Sequence, residues 1–207
     1  MEGNDVQTET TDPELDVSNP ADADEATSGE VTGTEDGIED DGRTRCAWVR
    51  EHPRHQFFHD AEFGRLPDSD PPCFERVLMT CLRRNSDLVD VLDQRMDIYE
   101  AFAEWNVETV AGAEDGALDE LTERGGVFAD GAVLRWIRDV AASCVETGKE
   151  YRGLRNYFLA LPSLSPEEML LEMQHRFADF TKEDAANLLQ LVGSVQECSH
   201  DRDCWIA

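Results

Sequence analysis

From about residue 70 onward, apolar residues recur at spacings of three and four, the period of a helix that buries one face. Phe74, Val77, Leu78, Cys81 and Leu82 predict a first long helix that starts at Asp70, with Pro71 and Pro72 in its opening turn. Leu88, Val91, Leu92, Met96, Tyr99 and Phe102 predict a second helix with these six on its buried face. Trp105-Asn106 ends it, and Asn106 is placed to cap a short turn through Val107 and Val110. A helix over 116–123 and another over 132–147 follow, separated by the glycine-rich run Arg124-Gly125-Gly126-Val127-Phe128-Ala129-Asp130-Gly131. Tyr151, Leu154, Tyr157, Phe158 and Leu161 predict a helix that stops at Pro162. Ser165-Pro166-Glu167-Glu168 then reads as a capping box with proline at the first helical position. A last helix from Thr181 presents Ala185, Leu188, Leu189, Val192 and Val195 to the core. No stretch alternates apolar with polar, so the expected fold class is all-α.

Residues 1–44 break this pattern. They hold Asp, Glu, Thr, Gly and Ser with scattered Val and no aromatic, too little apolar surface to offset the entropy of ordering. The reading is a disordered acidic tail over 1–44, solvating or docking, followed by one helical domain over 45–207. Charge widens the contrast. The chain has 207 residues and a formal net charge of −28, with fifteen acids and one Arg in the first 44 residues. The folded part is therefore strongly acidic as well. Two readings remain open: adaptation to a very salty cytoplasm, where charges are screened within ~3 Å at 1 M salt, or a surface that repels nucleic acid. No secretory signal and no apolar run of membrane-spanning length is present, so the expectation is a cytoplasmic, soluble protein. Six cysteines without a secretory signal point to reduced thiols or metal ligands.

Cysteine and histidine cluster at the two ends of the domain. Cys46 and His59 lie thirteen positions apart, each near aromatics, and His200-Asp201-Arg202-Asp203-Cys204 closes the chain nearly at its end. Two thiolates and two imidazoles make a complete tetrahedral set for zinc, with no open position, hence structural rather than catalytic. The spacing of the first pair is not that of a zinc finger. On the residues alone, core residues and a solvated tail compete evenly with a zinc site.

The segment Arg45-Cys46-Ala47-Trp48, followed by Phe57-Phe58-His59-Asp60-Ala61-Glu62-Phe63-Gly64, resembles the start of the 3-methyladenine DNA glycosylase I family. The terminal His-x3-Cys resembles its end, so the likeness covers roughly residues 45 to 204. It implies structural zinc on Cys46, His59, His200 and Cys204. It also makes the glycine-rich run between two helices similar to a helix-hairpin-helix element, whose backbone amides grip DNA phosphates. Gly125, Gly126 and Gly131 would then be the DNA-binding positions. The family's hairpin carries Arg and Lys, whereas this loop reads Val-Phe-Ala-Asp-Gly-Ala; a plain glycine turn between core helices is the other reading.

The family flips an alkylated base into a pocket that selects it by aromatic faces and one carboxylate. Carried over by resemblance, Trp48 keeps an aromatic, Phe58 stands where the family has Tyr, and Phe63 stands for a Trp. The carboxylate of the family's Leu-Glu-Gly falls on Thr80, so no catalytic residue is assigned. The Trp of its Gly-Leu-Ser-Trp falls on Leu88, completing a base pocket of Trp48, Phe58, Phe63 and Leu88. Arg95 keeps the register. The family's Lys-Phe-Val-Gly corresponds to Asp179-Phe180-Thr181-Lys182. Asp87 could offer a substitute carboxylate or simply cap a helix, and Glu62 could take an outer-shell role beside a ligand.

Two functions therefore stand side by side: a base-excision repair glycosylase of this type, hydrolysing the N-glycosidic bond of a flipped alkylated base in double-stranded DNA, and an inactive, zinc-stabilised module that binds DNA or a protein. Whether the chain is an enzyme stays open at this point. A monomer with no membrane partner is expected.

Overall fold

The computed structural model of the chain describes residue 49 and residues 52–194, all within the unit spanning Gly33–Ala207. Among these residues there are ten α-helices, joined by short 3-10 and π turns, and no strand. The fold class is all-α, as the periodicity predicts. Residues 1–44, expected as an acidic tail, lie outside the described residues, as do Cys46, Trp48, His200 and Cys204.

Helix α1 (Pro53–Phe57) begins at an unusual cap, His52, whose Nδ1 accepts the Arg54 amide at 3.1 Å, with Pro53 supplying the pre-set φ of a first helical residue. It runs into one π turn, Phe58–Glu62, a geometry often found at functional sites. Helix α2 (Asp70–Leu82) has its two prolines where the missing N–H groups would have no partner anyway. Every residue from Cys73 to Leu82 is buried, including Glu75, Arg76 and Thr80. A helix buried all round must satisfy those three polar side chains internally.

The single helix expected over Leu88 to Phe102 is two: α3 (Leu88–Asp93) and α4 (Arg95–Ala101), broken at Gln94 with φ −95° and ψ 13°. Its neighbour explains the break. Gly126 approaches so closely that a Cβ there would lie 2.5 Å from Gln94 Oε1, which also accepts the Val127 amide at 3.5 Å. The break turns Met96 out of the buried face on which the periodicity places it, to 67% exposure, and leaves Tyr99 half-buried; Leu88, Val91, Leu92 and Phe102 are buried as expected, and Ile98, outside the expected set, is buried as well. Asn106 caps α5 (Val107–Ala111) as expected, its Oδ1 accepting from Thr109 N at 2.8 Å.

Helix α6 (Asp115–Glu123) leads through the glycine turn to α7 (Gly131–Tyr151), longer at its C-terminal end than the apolar pattern indicates. Tyr151, expected in the following helix, closes α7; Arg152, left-handed at φ 59°, and Gly153 separate it from α8 (Leu154–Ala160). The capping box at Ser165 opens α9 (Pro166–Arg176), and a second, Thr181 with Asp184, opens α10 (Lys182–Leu191). Helix α7 packs against α2, α5, α6 and α8, and α10 packs against α2 and α9. The core thiols Cys73, Cys81 and Cys144 are free and buried. Burial pushes the Cys73 thiol up to about 12 and Cys144 higher, so both are inert structural residues.

One crossing brings the two ends of the domain together. Gly64 (φ 67°) ends the π-turn segment and Gly193 (φ 70°) follows α10; a Cβ on Gly193 would meet Gly64 O at 2.2 Å. Only glycine permits both the backbone conformation and the approach.

Candidate functional site

Four charged side chains meet between the π turn, α2 and the start of α4. Glu62 accepts from Arg76 Nη2 at 2.7 Å and from Arg95 Nη1 and Nη2 at 2.7 Å each. Glu75, beside Arg76 on α2, accepts from Arg95 Nε at 2.5 Å and Nη2 at 3.0 Å, and lies 3.5 Å from Arg76 Nη1. Two carboxylates and two guanidiniums cancel, which is how charges persist at this depth. Burial alone would raise the Glu62 pKa, but hydrogen bonds from Arg95 and then Arg76 outweigh it and hold the carboxyl below its ordinary value. A carboxylate so neutralised is a poor proton acceptor, so Glu62 is a scaffold group rather than a stand-in general base.

Arg76 is the residue on which the site turns. Its side chain is 4% exposed, and its guanidinium lies 5.2 Å from the Phe58 ring centroid, over the aromatic face. Nη1 also reaches Met79 Sδ at 3.5 Å. Its Nε–H is a buried donor with no hydrogen-bond partner among the described residues. Leaving such a donor unmatched costs about 1–3 kcal/mol, and native proteins seldom accept that without a use. One turn further along the same face stands Thr80, 1% exposed, whose Oγ1 donates back to Arg76 O at 3.0 Å. Its hydroxyl is spent on its own helix.

Of the aromatics expected in a base pocket, Phe58 and Phe63 come together, tilted at 56° with centroids 6.4 Å apart, and both are buried. Leu88 is buried at the start of α3. A groove of about 550 Å³ opens beside them, lined by Phe57, Phe58, Leu92, Arg95 and Met96 with Pro53, Arg54, Asp93 and Asp97. Among the described residues of the expected set, Phe58 faces it; Phe63, Thr80 and Leu88 do not. Asp87 takes the N-cap position of α3 without a side-chain cap bond and is exposed.

Arg76 and Glu75 escape a reading of the sequence that follows apolar positions. The available signal is the i, i+4 relation of Arg76 to Thr80, which stacks a cation over the position of interest on one helical face.

His59 stacks at 6.0 Å and 6° on Phe63, and its Nδ1 shares a 2.9 Å hydrogen bond with the Asp60 carboxylate. That imidazole–carboxylate pair is the usual way a metal-binding histidine is oriented. His59 therefore fits a zinc ligand; its three expected companions lie outside the described residues.

The glycine turn offers less to DNA than its spacing implies. Val127 and Phe128 point into the core, and Arg124 lies over the Phe128 ring at 5.0 Å. Gly125 and Gly126 adopt positive φ, and Gly131 is the first residue of α7. The amides that begin α7 are already met: Asp130 Oδ1 accepts from Ala132 N at 2.8 Å and Val133 N at 3.2 Å. A carboxylate thus sits at the helix N-terminus where an anion would otherwise bind. At the other expected contact, Arg84 lies 3.4 Å above the Trp136 ring, pairs with Asp184 at 2.6 Å and donates to Asp179 O at 2.7 Å.

Among the described residues no helix is long and apolar enough to cross a membrane. A comparison with curated proteins gives no match. Solved structures do. A crystal structure of a 3-methyladenine DNA glycosylase I aligns at TM-score 0.66 and 16% identity, over 78% of this chain and 98% of that one. The Staphylococcus aureus 3-methyladenine DNA glycosylase I, solved to show how 3-methyladenine is recognised, aligns at 0.65 and 15%, over 79% and 96%. A Tyr-to-Phe variant of a 3-methyladenine DNA glycosylase I in complex with 3-methyladenine aligns at 0.65 and 16%, over 79% and 97%. At these identities the likeness concerns the fold. The methyladenine glycosylase family model matches residues 48–193 of the sequence itself, and the chain belongs to that family.

Proposed function

We propose that the protein is a base-excision repair glycosylase of the 3-methyladenine DNA glycosylase I type whose base site accepts an uncharged alkylated base in place of cationic 3-methyladenine. Arg76 carries this reading. Behind Phe58, which lines the groove, lies a buried guanidinium whose Nε–H has no hydrogen-bond partner among the described residues, the donor that a flipped base would have to reach. Glu62 and Glu75 are both engaged by Arg76 and Arg95, so a cationic base finds no unpaired carboxylate there. An uncharged base offers acceptor atoms to Nε–H, and when its N-glycosidic bond breaks the electron pair leaves with the base. A fixed guanidinium stabilises that developing negative charge, the kind of preorganised electrostatic term that dominates many enzymes. Glu62 and Glu75 hold Arg76 in place and keep the cluster neutral overall.

Structural zinc on Cys46, His59, His200 and Cys204 belongs to the same proposal. It is supported by the His59–Asp60 pair and by the Gly64–Gly193 crossing, which runs the end of α10 alongside the His59 segment. The partner is double-stranded DNA and the protein acts as a monomer. Because the chain carries a net charge of −28, DNA binding requires salt high enough to screen it, in keeping with a saline cytoplasm.

A second reading, a zinc-stabilised module without chemistry, is favoured by Thr80, whose hydroxyl is committed to Arg76 O. One experiment separates the two. The purified protein is incubated at multimolar KCl with DNA carrying several alkylated bases, and released bases are identified by mass. Release of an uncharged alkylated base without 3-methyladenine supports the proposal. Robust 3-methyladenine release overturns it, and DNA binding with no release of any base supports the second reading.

A further inference from the structure

Apart from the pocket, one side-chain grouping of metal-binding chemistry is present among the described residues: His52, His55 and Asp93, whose ligand atoms all lie within 4.8 Å of one another. His52 caps α1, His55 is buried one turn later, and Asp93 is the last, exposed residue of α3. The three thus come from two elements, and Asp93 lines the 550 Å³ groove beside Phe58. We propose that they form a second metal site, distinct from the Cys/His set, for a divalent cation of the zinc class.

Two imidazoles and one carboxylate are the donor set that zinc and its neighbours take when the site is not closed by four protein ligands. Bond lengths near 2.0–2.2 Å put ligand atoms about 3.4 Å apart around a tetrahedral ion, so the trio closes by up to about 1.4 Å on binding. Asp93, exposed at the end of its helix, can supply that movement. Three ligands leave one position for water or an anionic ligand, and one of the three, Asp93, lines the groove.

What now holds the trio is Arg54. Its amide donates to His52 Nδ1 at 3.1 Å, and its Nη1 lies 3.3 Å from Asp93 Oδ1 and 3.4 Å from Asp93 O. The guanidinium, 62% exposed, takes the place of the cation. Coordination through either nitrogen of His52 ends the cap bond: binding at Nδ1 uses the same lone pair, and binding at Nε2 moves the ring proton onto Nδ1. Metal binding therefore competes with the Arg54 amide at His52 and with the Arg54 guanidinium at Asp93, so removing that side chain frees Asp93 and raises metal affinity.

The test uses the full chain and is independent of any glycosylase activity. Cobalt(II) is titrated in, because cobalt bound to thiolate shows a near-ultraviolet charge-transfer band that cobalt bound to imidazole and carboxylate lacks. The expected result is one cobalt per chain that adds no charge-transfer intensity, persists in a Cys46→Ser, Cys204→Ser chain, and weakens at least ten-fold in His52→Gln and in Asp93→Asn. Asp93 is exposed and His52 half-buried at the cap of α1, so a helical circular dichroism spectrum checks that each variant is folded. Arg54→Gln is expected to bind cobalt several-fold more tightly than the unmodified chain. Cobalt binding that is unchanged by His52→Gln and Asp93→Asn, or that disappears entirely with the two cysteines, overturns the proposal.

Discussion

Replacing Glu62 by Gln removes one negative charge from a cluster that contains two of each sign, and leaves the size of the side chain nearly unchanged. Three hydrogen bonds of 2.7 Å from Arg76 and Arg95 lose their ionic character, and Arg76, 4% exposed, keeps a full charge with only Glu75 at 3.5 Å to oppose it. Removing one partner of a buried pair costs about 3–5 kcal/mol. Glu75 remains and Arg95 is partly solvated, so the low end applies, ~3 kcal/mol, or roughly 6–12 °C in melting temperature for a domain of this size. Arg76→Met leaves two carboxylates facing one guanidinium and should cost a comparable amount. The double variant restores neutrality, so its cost should fall short of the sum of the singles by about 1–2 kcal/mol, within the range for residues in one network. Guanidinium unfolding would confound charge effects, so urea unfolding at 1 M and 3 M KCl is the assay. Buried pairs are little screened, and the coupling should be the same at both salts. A Glu62→Gln cost below about 0.5 kcal/mol, the scale of a surface pair, or singles that simply add, would refute the account of the cluster.

Acid stability follows from Glu62 and Asp184. Burial raises both pKa values, but hydrogen bonds to Glu62 from Arg95 and Arg76, and to Asp184 from Arg84 and Thr181, lower them further, below the ordinary 4.5 and 3.8. A depressed folded-state pKa contributes stability that is fully present above the unfolded value and lost as pH falls through the folded one. The melting temperature should therefore hold down to about pH 4.5 and then drop, more shallowly in Glu62→Gln; a drop of unchanged shape in that variant contradicts this. Asp130→Ser keeps a capping oxygen for α7 but removes the anion, so stability should change by less than about 1 kcal/mol while duplex DNA affinity, read by fluorescence anisotropy at fixed salt, increases. Affinity that stays level would show that the glycine turn makes no phosphate contact. Thr80→Glu with Leu88→Trp should release no 3-methyladenine, because a carboxylate at 80 pairs with Arg76 one turn away; adding Arg76→Met should permit release. Release by the double variant alone would show that Arg76 does not block the site.

The helices were legible because their apolar faces repeat and their ends carry chemistry that acts locally. Ser165 with Glu168 and Asn106 with Thr109 cap where the residues say they should, since a cap is settled within four positions. The break at Gln94 was not legible. It depends on Gly126, thirty-two positions later, pressing on one side chain, and nothing in the local pattern from Leu88 to Phe102 encodes that contact. Met96 was misplaced for the same reason. Arg76 was hidden differently. A charged residue inside an apolar run reads as solvent-facing, and its burial becomes tolerable only through Glu62, fourteen positions earlier, and through Arg95, which shares that carboxylate. The family likeness identified position 80 as the one to inspect, but it could not show that the occupant of position 76 changes what position 80 means.

Those two positions are best understood together. On a buried helix, residues four apart share a face, so a longer side chain at 80 would meet Arg76, whose guanidinium lies over Phe58. A glutamate at 80 beside Arg76 would make a third carboxylate against two guanidiniums, leave a net buried negative charge, and draw Arg76 away from Glu62. A threonine with Arg76 gives two against two, and its hydroxyl is satisfied by the carbonyl of Arg76 itself. Loss of the carboxylate without the arginine would have left Glu62 and Glu75 opposed by Arg95 alone. Neutrality therefore ties the residue at 80 to Arg76: with threonine there, the buried cluster stays balanced and leaves one donor, Arg76 Nε–H, without a partner among the described residues.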